Sequence, residues 1–146
     1  MRIAIAGDHA SPKHKAAIAA HLRDAGHQVV DFGTHSEASC DYPDFVLAPC
    51  QAVLNGQADR AVLICGTGIG ISIAANKVRG IRCALAHDTM TAGLAREHND
   101  AHALALGARV VDIPTALLLV DTFLAASFAP RHQCRLDKIT ALERDC

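Results

Sequence analysis

The stretch AVLICGTGIG, residues 61–70, decides the fold that this chain adopts. Residues 61–64 are all aliphatic, and a continuous apolar run of this kind is typical of a central strand in a parallel sheet. Cys65 ends the run, and the glycines after it turn the chain into a segment predicted to be helical through Lys77. A buried strand, a tight turn and a helix in this order are typical of an α/β protein.

The same alternation of strand and helix extends to both ends of the chain. The pattern predicts strands at residues 3–6, 28–32, 61–64, 82–86 and 103–106. It predicts helices at residues 12–25 (with Ser11 as the N-cap), 43–55, 72–77, 89–97, 115–128 and 131–144. This order predicts a three-layer αβα sandwich with a parallel sheet of about five strands, as a single domain over residues 1–146.

The composition excludes several classes of protein. Of the 146 residues, 51% are hydrophobic and 20% are charged, which is typical of a folded globular domain and not of a disordered chain. The formal net charge of −1 does not favour nucleic acid as a partner. No run approaches the roughly 18 apolar residues of a membrane span, and the N-terminus has no secretory signal, so we expect a cytoplasmic protein.

Six cysteines are present, and their spacing predicts neither disulfides nor a metal site. They show no C-x-x-C pair and no zinc pattern, so we expect reduced thiols that mostly serve as small packing residues. Their positions are Cys40, Cys50, Cys65, Cys83, Cys134 and Cys146.

The fold class indicates where a ligand would bind. In open parallel sheets, ligands lie at the carboxyl ends of strands, beside the point where the strand order reverses. The segments that follow the first, third and fourth predicted strands are residues 7–9, 65–70 and 87–88. Polar and reactive residues cluster in these segments, so we expect the site there.

The glycine turn after Cys65 is predicted to bind negative charge. Backbone N–H groups of such a turn approach a ligand closely, and the following helix adds a positive dipole end. The turn matches neither the nucleotide-binding nor the serine-hydrolase motifs, and a purely structural turn remains an alternative. Cys65 lies at the end of a core strand, next to the N-terminus of a helix. Its thiol is either a base or nucleophile or a buried packing group.

The other polar residues singled out each have a functional and a structural interpretation. A histidine such as His98 suits proton transfer at neutral pH, yet a histidine at a helix end is also a common cap. His9 follows Asp8 and has two interpretations as well, because it is either part of the site or a surface group. Arg131 and Arg135 are spaced to lie on one helical face, where they would grip a phosphate or form a solvated basic patch.

Taken together, these segments resemble the family of ribose-5-phosphate isomerase B and the galactose-6-phosphate isomerase subunits. The resemblance covers nearly the whole chain and follows a specific order of motifs. These motifs are Gly7-Asp8-His9, Asp41-Tyr42-Pro43, the segment ICGTGIGISIAANK at 64–77, Arg96-Glu97-His98-Asn99-Asp100, Gly107-Ala108-Arg109-Val110-Val111 and Arg131-His132-x-x-Arg135.

The resemblance implies a Rossmann-like domain that acts on a small sugar phosphate. It implies a homodimer, with tetramers as an open alternative, whose active sites are each built from both chains. The C-terminal helix at about residues 131–145 would reach the partner subunit. No metal and no organic cofactor are implied.

The reaction implied is the interconversion of ribose 5-phosphate and ribulose 5-phosphate through an enediolate. Cys65 would be the base, and Ile71 occupies the position where some relatives carry a glutamate base instead. Thr67 would move protons between the enediolate oxygens, and His98 would open the furanose ring.

The resemblance also implies which residues bind the substrate. Asp8 and Tyr42 would lie near the sugar, and Asn99 would hold the enediolate. The turn amides at Gly66, Gly68 and Gly70 would help to hold it. The residues implied to hold the phosphate are His9, Arg109, Arg131, His132 and Arg135.

Three alternatives remain open from the sequence. In the first alternative, the substrate is a different sugar phosphate, such as allose 6-phosphate, galactose 6-phosphate or a tetrulose 4-phosphate. The loops at residues 34–41 and 88–90 would then decide the length of the pocket. In the second alternative, the domain binds sugar phosphates but does not catalyse a reaction. The third alternative is a redox-sensing cysteine, for which no resolving partner lies near Cys65 in sequence.

Overall fold

Five parallel strands form one sheet in the computed structural model, which describes residues 1–143. The order across the sheet is β2-β1-β3-β5-β4, and every neighbouring pair is parallel. The strands are β1 (Arg2–Gly7), β2 (Gln28–Asp31), β3 (Arg60–Cys65), β4 (Cys83–Leu85) and β5 (Ala103–Gly107). The chain leaves β1 toward β2 and then returns to the other side of β1, so the strand order reverses between β1 and β3.

Residues 1–143 form six α-helices, and five of them cover the two faces of the sheet. The six are α1 (Pro12–Asp24), α2 (Leu47–Leu54), α3 (Ile69–Ala75), α4 (Thr89–Glu97), α5 (Ile113–Ala125) and α6 (Gln133–Ala141). Helices α1, α4 and α5 share one hydrophobic cluster with the sheet, and α2 and α3 share another. The predicted three-layer αβα sandwich on a five-stranded parallel sheet is therefore confirmed.

The central strands bury residues of different size on their two faces. In β1, Ile3 and Ile5 pack toward α1 and α5, whereas Ala4 and Ala6 face α2 and α3. The same division holds in β5, where leucines face one layer and alanines face the other. Small side chains let helices approach a sheet closely. Helix α3, which follows Cys65, is held in this way against the centre of the sheet.

The strand limits differ from the predicted ones by no more than one residue, but four helix predictions are wrong at an end. Helix α3, predicted at residues 72–77, begins at Ile69 and ends at Ala75. The second helix begins as a 3₁₀ turn, Tyr42–Phe45, and becomes α-helical only at Leu47. Helix α5 ends at Ala125 instead of residue 128, because Ala126 is extended, with a ψ of 145°.

The last predicted helix is divided. It begins as a 3₁₀ turn, Pro130–His132, before α6. Its predicted end, at residues 144–145, lies outside the described residues, as does Cys146. Ser11 does occupy the N-cap position of α1, but its side chain does not cap the helix. The hydroxyl donates instead to the carbonyl oxygen of Asp8 at 2.7 Å, and so holds the turn that follows β1.

Candidate active site

The glycine turn between β3 and α3 lies at the carboxyl edge of the sheet, beside the point where the strand order reverses. Gly68 has a φ of +78°, in the left-handed region that favours glycine. A side chain there would also lie 2.5 Å from Cδ1 of Leu85 and 2.9 Å from the backbone of Leu106. The turn therefore depends on glycine for both its conformation and its fit against the neighbouring strands.

Cys65 is buried at the start of this turn, with only 4% of its surface exposed. The backbone N–H of Gly68 donates to its Sγ atom at 3.1 Å. A thiolate accepts such a bond more strongly than a thiol does, because the acceptor then carries the charge. Thr67 is exposed, and its carbonyl oxygen lies 3.4 Å from Nε2 of His87.

The turn after β1 lies next to the glycine turn. The N–H of Asp8 donates to the carbonyl oxygen of Ile64 at 3.1 Å, and the Asp8 carboxylate accepts a bond from the N–H of Ala10. His9 follows, and the N–H of Cys40 donates to its Nδ1 atom at 3.2 Å. The carbonyl oxygen of Cys40 lies 3.1 Å from the same Nδ1 atom, so Cys40 engages Nδ1 and Nε2 is the ring nitrogen of His9 that would meet an anion.

Two further residues pack onto the glycine turn. The ring of Tyr42 lies so close to Gly70 that a Cβ atom there would be 2.4 Å from Cζ of the tyrosine. The guanidinium group of Arg109 lies beside Gly66, and the N–H of Arg109 donates to the Gly66 carbonyl oxygen at 2.9 Å. The carboxyl edge therefore collects most of the residues singled out in the sequence.

His98 and Asn99 lie at the opposite edge. Helix α4 begins after the carboxyl end of β4 and returns past the sheet over nine residues, or about 13 Å. The segment that follows is bonded to the amino ends of the strands. Arg82, just before β4, donates from Nε to the Asn99 carbonyl oxygen at 2.8 Å, and Ala61 of β3 donates to the His102 carbonyl oxygen at 3.0 Å.

The other basic residues predicted near the C-terminus, Arg131, His132 and Arg135, lie with His98 at the amino edge. The rings of His98 and His132 pack with centroids 4.2 Å apart. Arg131 and Arg135 do not share one helix, because Arg131 belongs to the 3₁₀ turn and Arg135 to α6. Their guanidinium groups nevertheless reach the two ring nitrogens of the same His132. We call His98, Arg131, His132 and Arg135 the basic cluster.

The basic cluster has more hydrogen-bond donors than acceptors. A neutral imidazole offers one acceptor nitrogen, yet both nitrogens of His132 face arginines, which only donate. Burial lowers the pKa of His132, and the nearby charges of His98 and the two arginines lower it further. The Glu97 carboxylate is 3.6 Å from both His98 and Arg131. Such an arrangement favours an incoming anion.

One chain thus divides the predicted site between two edges of the same sheet. Nine of the residues lie at the carboxyl edge, namely Asp8, His9, Tyr42, Cys65, Gly66, Thr67, Gly68, Gly70 and Arg109. Five lie at the amino edge, namely His98, Asn99, Arg131, His132 and Arg135. The sequence indicated no role for Arg82, because its partners lie 17 and 18 positions further along the chain.

Metal and membrane features were sought over residues 1–143. In this part of the chain, no group of three or more histidine, cysteine or acidic side chains is arranged to hold a metal ion. No single helix in the same range is long and apolar enough to cross a membrane.

The sequence model of the ribose/galactose isomerase family matches residues 3–139 of this chain. The chain belongs to this family. It is 44% identical over 144 residues to ribose-5-phosphate isomerase B of Escherichia coli, which covers 98% of this chain and 97% of the relative. The resemblance inferred from the motifs is therefore confirmed.

Solved structures agree with this assignment. Ribose-5-phosphate isomerase B of Clostridium thermocellum superposes with a TM-score of 0.97 at 51% identity, and the match covers 99% of both chains. Ribose-5-phosphate isomerase B of Mycoplasma genitalium, solved with bound ribulose-5-phosphate, superposes with a TM-score of 0.94 at 42% identity. That match covers 99% of this chain and 97% of the other. The Rossmann-like fold is thus shared along the full length of these relatives.

Proposed function

We propose that this chain is an aldose–ketose isomerase that interconverts ribose 5-phosphate and ribulose 5-phosphate through an enediolate. The observation that carries the proposal is the buried Cys65, whose sulfur accepts an N–H bond inside a glycine turn at the carboxyl edge. Its relatives of more than 40% identity include several named ribose-5-phosphate isomerase B, one of them with ribulose-5-phosphate bound.

Cys65 is the proposed base. As the thiolate, it removes the proton from C2 of the open-chain aldose, and the electron pair of that bond forms the C1=C2 double bond of the enediolate. Negative charge develops on the O1 oxygen, which the N–H groups of the glycine turn stabilise. The exposed hydroxyl of Thr67 passes a proton between O2 and O1. Cys65 then returns its proton to C1, which gives the ketose.

The site is completed by a second copy of the chain. The nine residues at the carboxyl edge contain the proposed base but only His9 and Arg109 for the phosphate, and the basic cluster lies at the far edge. A symmetric dimer that sets the carboxyl edge of one copy against the amino edge of the other would form two equal sites.

Exposed apolar side chains support this assembly. Ile69 and Ile73, one turn apart on α3, are 52% and 56% exposed next to the glycine turn. At the amino edge, a cavity of about 540 Å³ is lined by Asn99, Ile81 and Ile139, among others. Ile139 is 41% exposed, so both edges carry exposed apolar groups of the kind that a partner covers.

The second copy would supply the residues that open the furanose ring and bind the phosphate. His98 transfers a proton at the ring oxygen of the furanose, and Asn99 holds the enediolate from the side opposite the turn. Arg131 and Arg135 bind the phosphate with charge-assisted hydrogen bonds, and His132 orients both arginines. Phosphate binding far from the reacting carbons orients the sugar over Cys65.

The test is isomerase activity on ribose 5-phosphate, with allose 6-phosphate, galactose 6-phosphate and a tetrulose 4-phosphate measured in parallel. We expect turnover of ribose 5-phosphate by the wild type and its near loss in Cys65→Ala, with sugar-phosphate binding retained. Preferred turnover of another sugar would correct the substrate and keep the reaction. Binding of phosphate sugars without turnover of any would replace the isomerase by a silent binding domain.

A further inference from the structure

Asp100 has an unusual backbone conformation directly after His98 and Asn99. Its φ is +43°, and among residues 1–143 it is the only residue other than glycine with a positive φ. Helices often end with a residue in this left-handed region, usually glycine, because a side chain there is strained. An aspartate at this position therefore needs a compensating interaction.

The carboxylate of Asp100 provides that interaction by joining two arginines. Its Oδ1 atom accepts a bond from Arg96 at 2.6 Å, and its Oδ2 atom accepts a bond from Arg82 at 3.2 Å. Arg96 is 6% exposed and comes from the last turn of α4. Arg82 comes from the segment before β4, so the carboxylate connects a helix end to the amino end of an edge strand.

The same two arginines also bind the backbone of this segment. Arg82 donates to the carbonyl oxygens of Asn99, at 2.8 Å, and of Asp100, at 2.9 Å. Arg96 donates to the carbonyl oxygen of Ala101 at 2.8 Å. Three consecutive carbonyl groups, at residues 99–101, are thus held by two guanidinium groups that share one carboxylate.

The local charge makes Asp100 hard to replace. Arg60 and Arg96 repel each other at this edge, and the charge of Asp100 opposes that repulsion. His102 does not compete for the carboxylate, because burial, followed by the charge of Arg82, lowers its pKa to about 4 and keeps it neutral. Without Asp100, the arginines at residues 82 and 96 would lose their shared acceptor and the backbone turn would lose its support.

We propose that Asp100, held between Arg82 and Arg96, is the positioning residue for His98 and Asn99 in the isomerase reaction. It does not contact the sugar in this scheme. It fixes the left-handed turn from which both side chains reach the site of the other copy. A displacement of about 1 Å in such groups can cost on the order of a hundredfold in rate. This inference rests on the proposed function of His98.

The test compares Asp100→Gly with Asp59→Asn. Glycine tolerates the positive φ but lacks the carboxylate. Asp59 is a matched control, because its carboxylate also binds an arginine at this edge, with Oδ1 2.9 Å from Nη2 of Arg2 and Oδ2 2.7 Å from the backbone nitrogen of Arg2. We expect Asp100→Gly to lower kcat/KM for ribose 5-phosphate by on the order of tenfold to a hundredfold, and the control to change it less than about threefold.

The substrate form separates positioning from general damage. Ribose 5-phosphate is mostly a closed furanose, whereas ribulose 5-phosphate is an open chain that needs no ring opening. Asp100→Gly should therefore lower the kcat for ribose 5-phosphate more than the kcat for ribulose 5-phosphate, whereas the equilibrium constant keeps the ratio of the two kcat/KM values unchanged. Asp100→Asn, which tolerates the turn but keeps only one acceptor oxygen and no charge, should recover part of the activity that Asp100→Gly loses. Equal losses of kcat in the two directions would overturn the positioning of His98, and wild-type rates in Asp100→Gly would overturn the positioning of both residues.

Two further readouts make the result independent of folding and of the proposed function. If Asp100→Gly does not fold, Arg82→Lys provides the comparison, since a lysine cannot hold two carbonyl groups and the carboxylate as the guanidinium fork does. The ring resonances of His98, followed by NMR, should shift in the variants at positions 82 and 100 and not in Asp59→Asn. Unchanged resonances would refute the inference, whereas a wild type without isomerase activity would refute only the proposed function.

Discussion

Two inactive variants of this protein should restore activity when their subunits are mixed. Cys65→Ala removes the proposed base at the carboxyl edge, and His98→Asn removes the ring-opening group at the amino edge. In a dimer of either variant alone, both sites carry the damage, because both chains carry the same substitution. Neither variant by itself is therefore expected to turn over ribose 5-phosphate at an appreciable rate.

The size of the recovery follows from the placement of the two residues at opposite edges. Random pairing of equal amounts of the two chains makes about half of the dimers mixed. In a mixed dimer, one site receives both damaged edges, and the other receives Cys65 from one chain and His98 from the other. The mixture should therefore recover about one quarter of the wild-type activity per chain.

The assay is the initial rate of ribulose 5-phosphate formation after the subunits have exchanged, with mixed dimers counted by native mass spectrometry. A chain with both substitutions, mixed with the wild type, is the control. Shared sites predict about one quarter of the wild-type rate in that mixture, and sites within one chain predict about one half. Demonstrated mixed dimers with no recovery would refute the assignment of the two edges to different chains.

Three other predictions test the packing of the glycine turn, phosphate binding by Arg135 and the protonation of the buried His102. Gly68→Ala should lower the free energy of unfolding in urea by about 2 kcal/mol or more, because it adds contacts with Leu85 to the strain of a positive φ. Gly26→Ala, with a φ of +85° and nothing within 4 Å, should cost only about 1 kcal/mol, and equal costs would contradict the packing argument. Arg135→Ala should raise KM by on the order of tenfold or more and change kcat less, and the reverse pattern in steady-state kinetics would remove it from phosphate binding. His102 has a folded pKa of about 4, below its usual 6.5, so the unfolded chain binds the proton first and stability falls as the pH drops through this window. The Tm of His102→Asn should depend less on pH between these values, and an unchanged dependence would assign the acid sensitivity to other groups.

The sequence predicted the strands well because their signal is local. Each strand contains a short apolar run, and its limits were placed within one residue. Helix ends were harder, as α5 shows by ending at Ala125. Nothing in the local pattern of residues 115–128 reveals where the chain must leave the helix to reach the amino edge. Helix ends depend on such tertiary paths as much as on propensity.

Ser11 and Asp100 show the same limit at the level of single side chains. Ser11 has the residue type and position of an N-cap, yet its hydroxyl binds the Asp8 carbonyl oxygen instead. Asp100 was part of a motif that carried the family resemblance, but its role depends on Arg82, which is 18 positions earlier in the chain. Contacts between such distant positions have no signature in a single sequence.

By itself, the sequence determined the α/β class, the family and the residue types available for chemistry, because periodicity and motif order are properties of the chain alone. Tertiary structure decided how those residues are distributed. Helix α4 runs antiparallel to the strands, so it separates His98 from Cys65 by the length of the sheet. That separation comes from the direction in which a crossover helix must return, and it is the reason for proposing that a second copy of the chain completes the site.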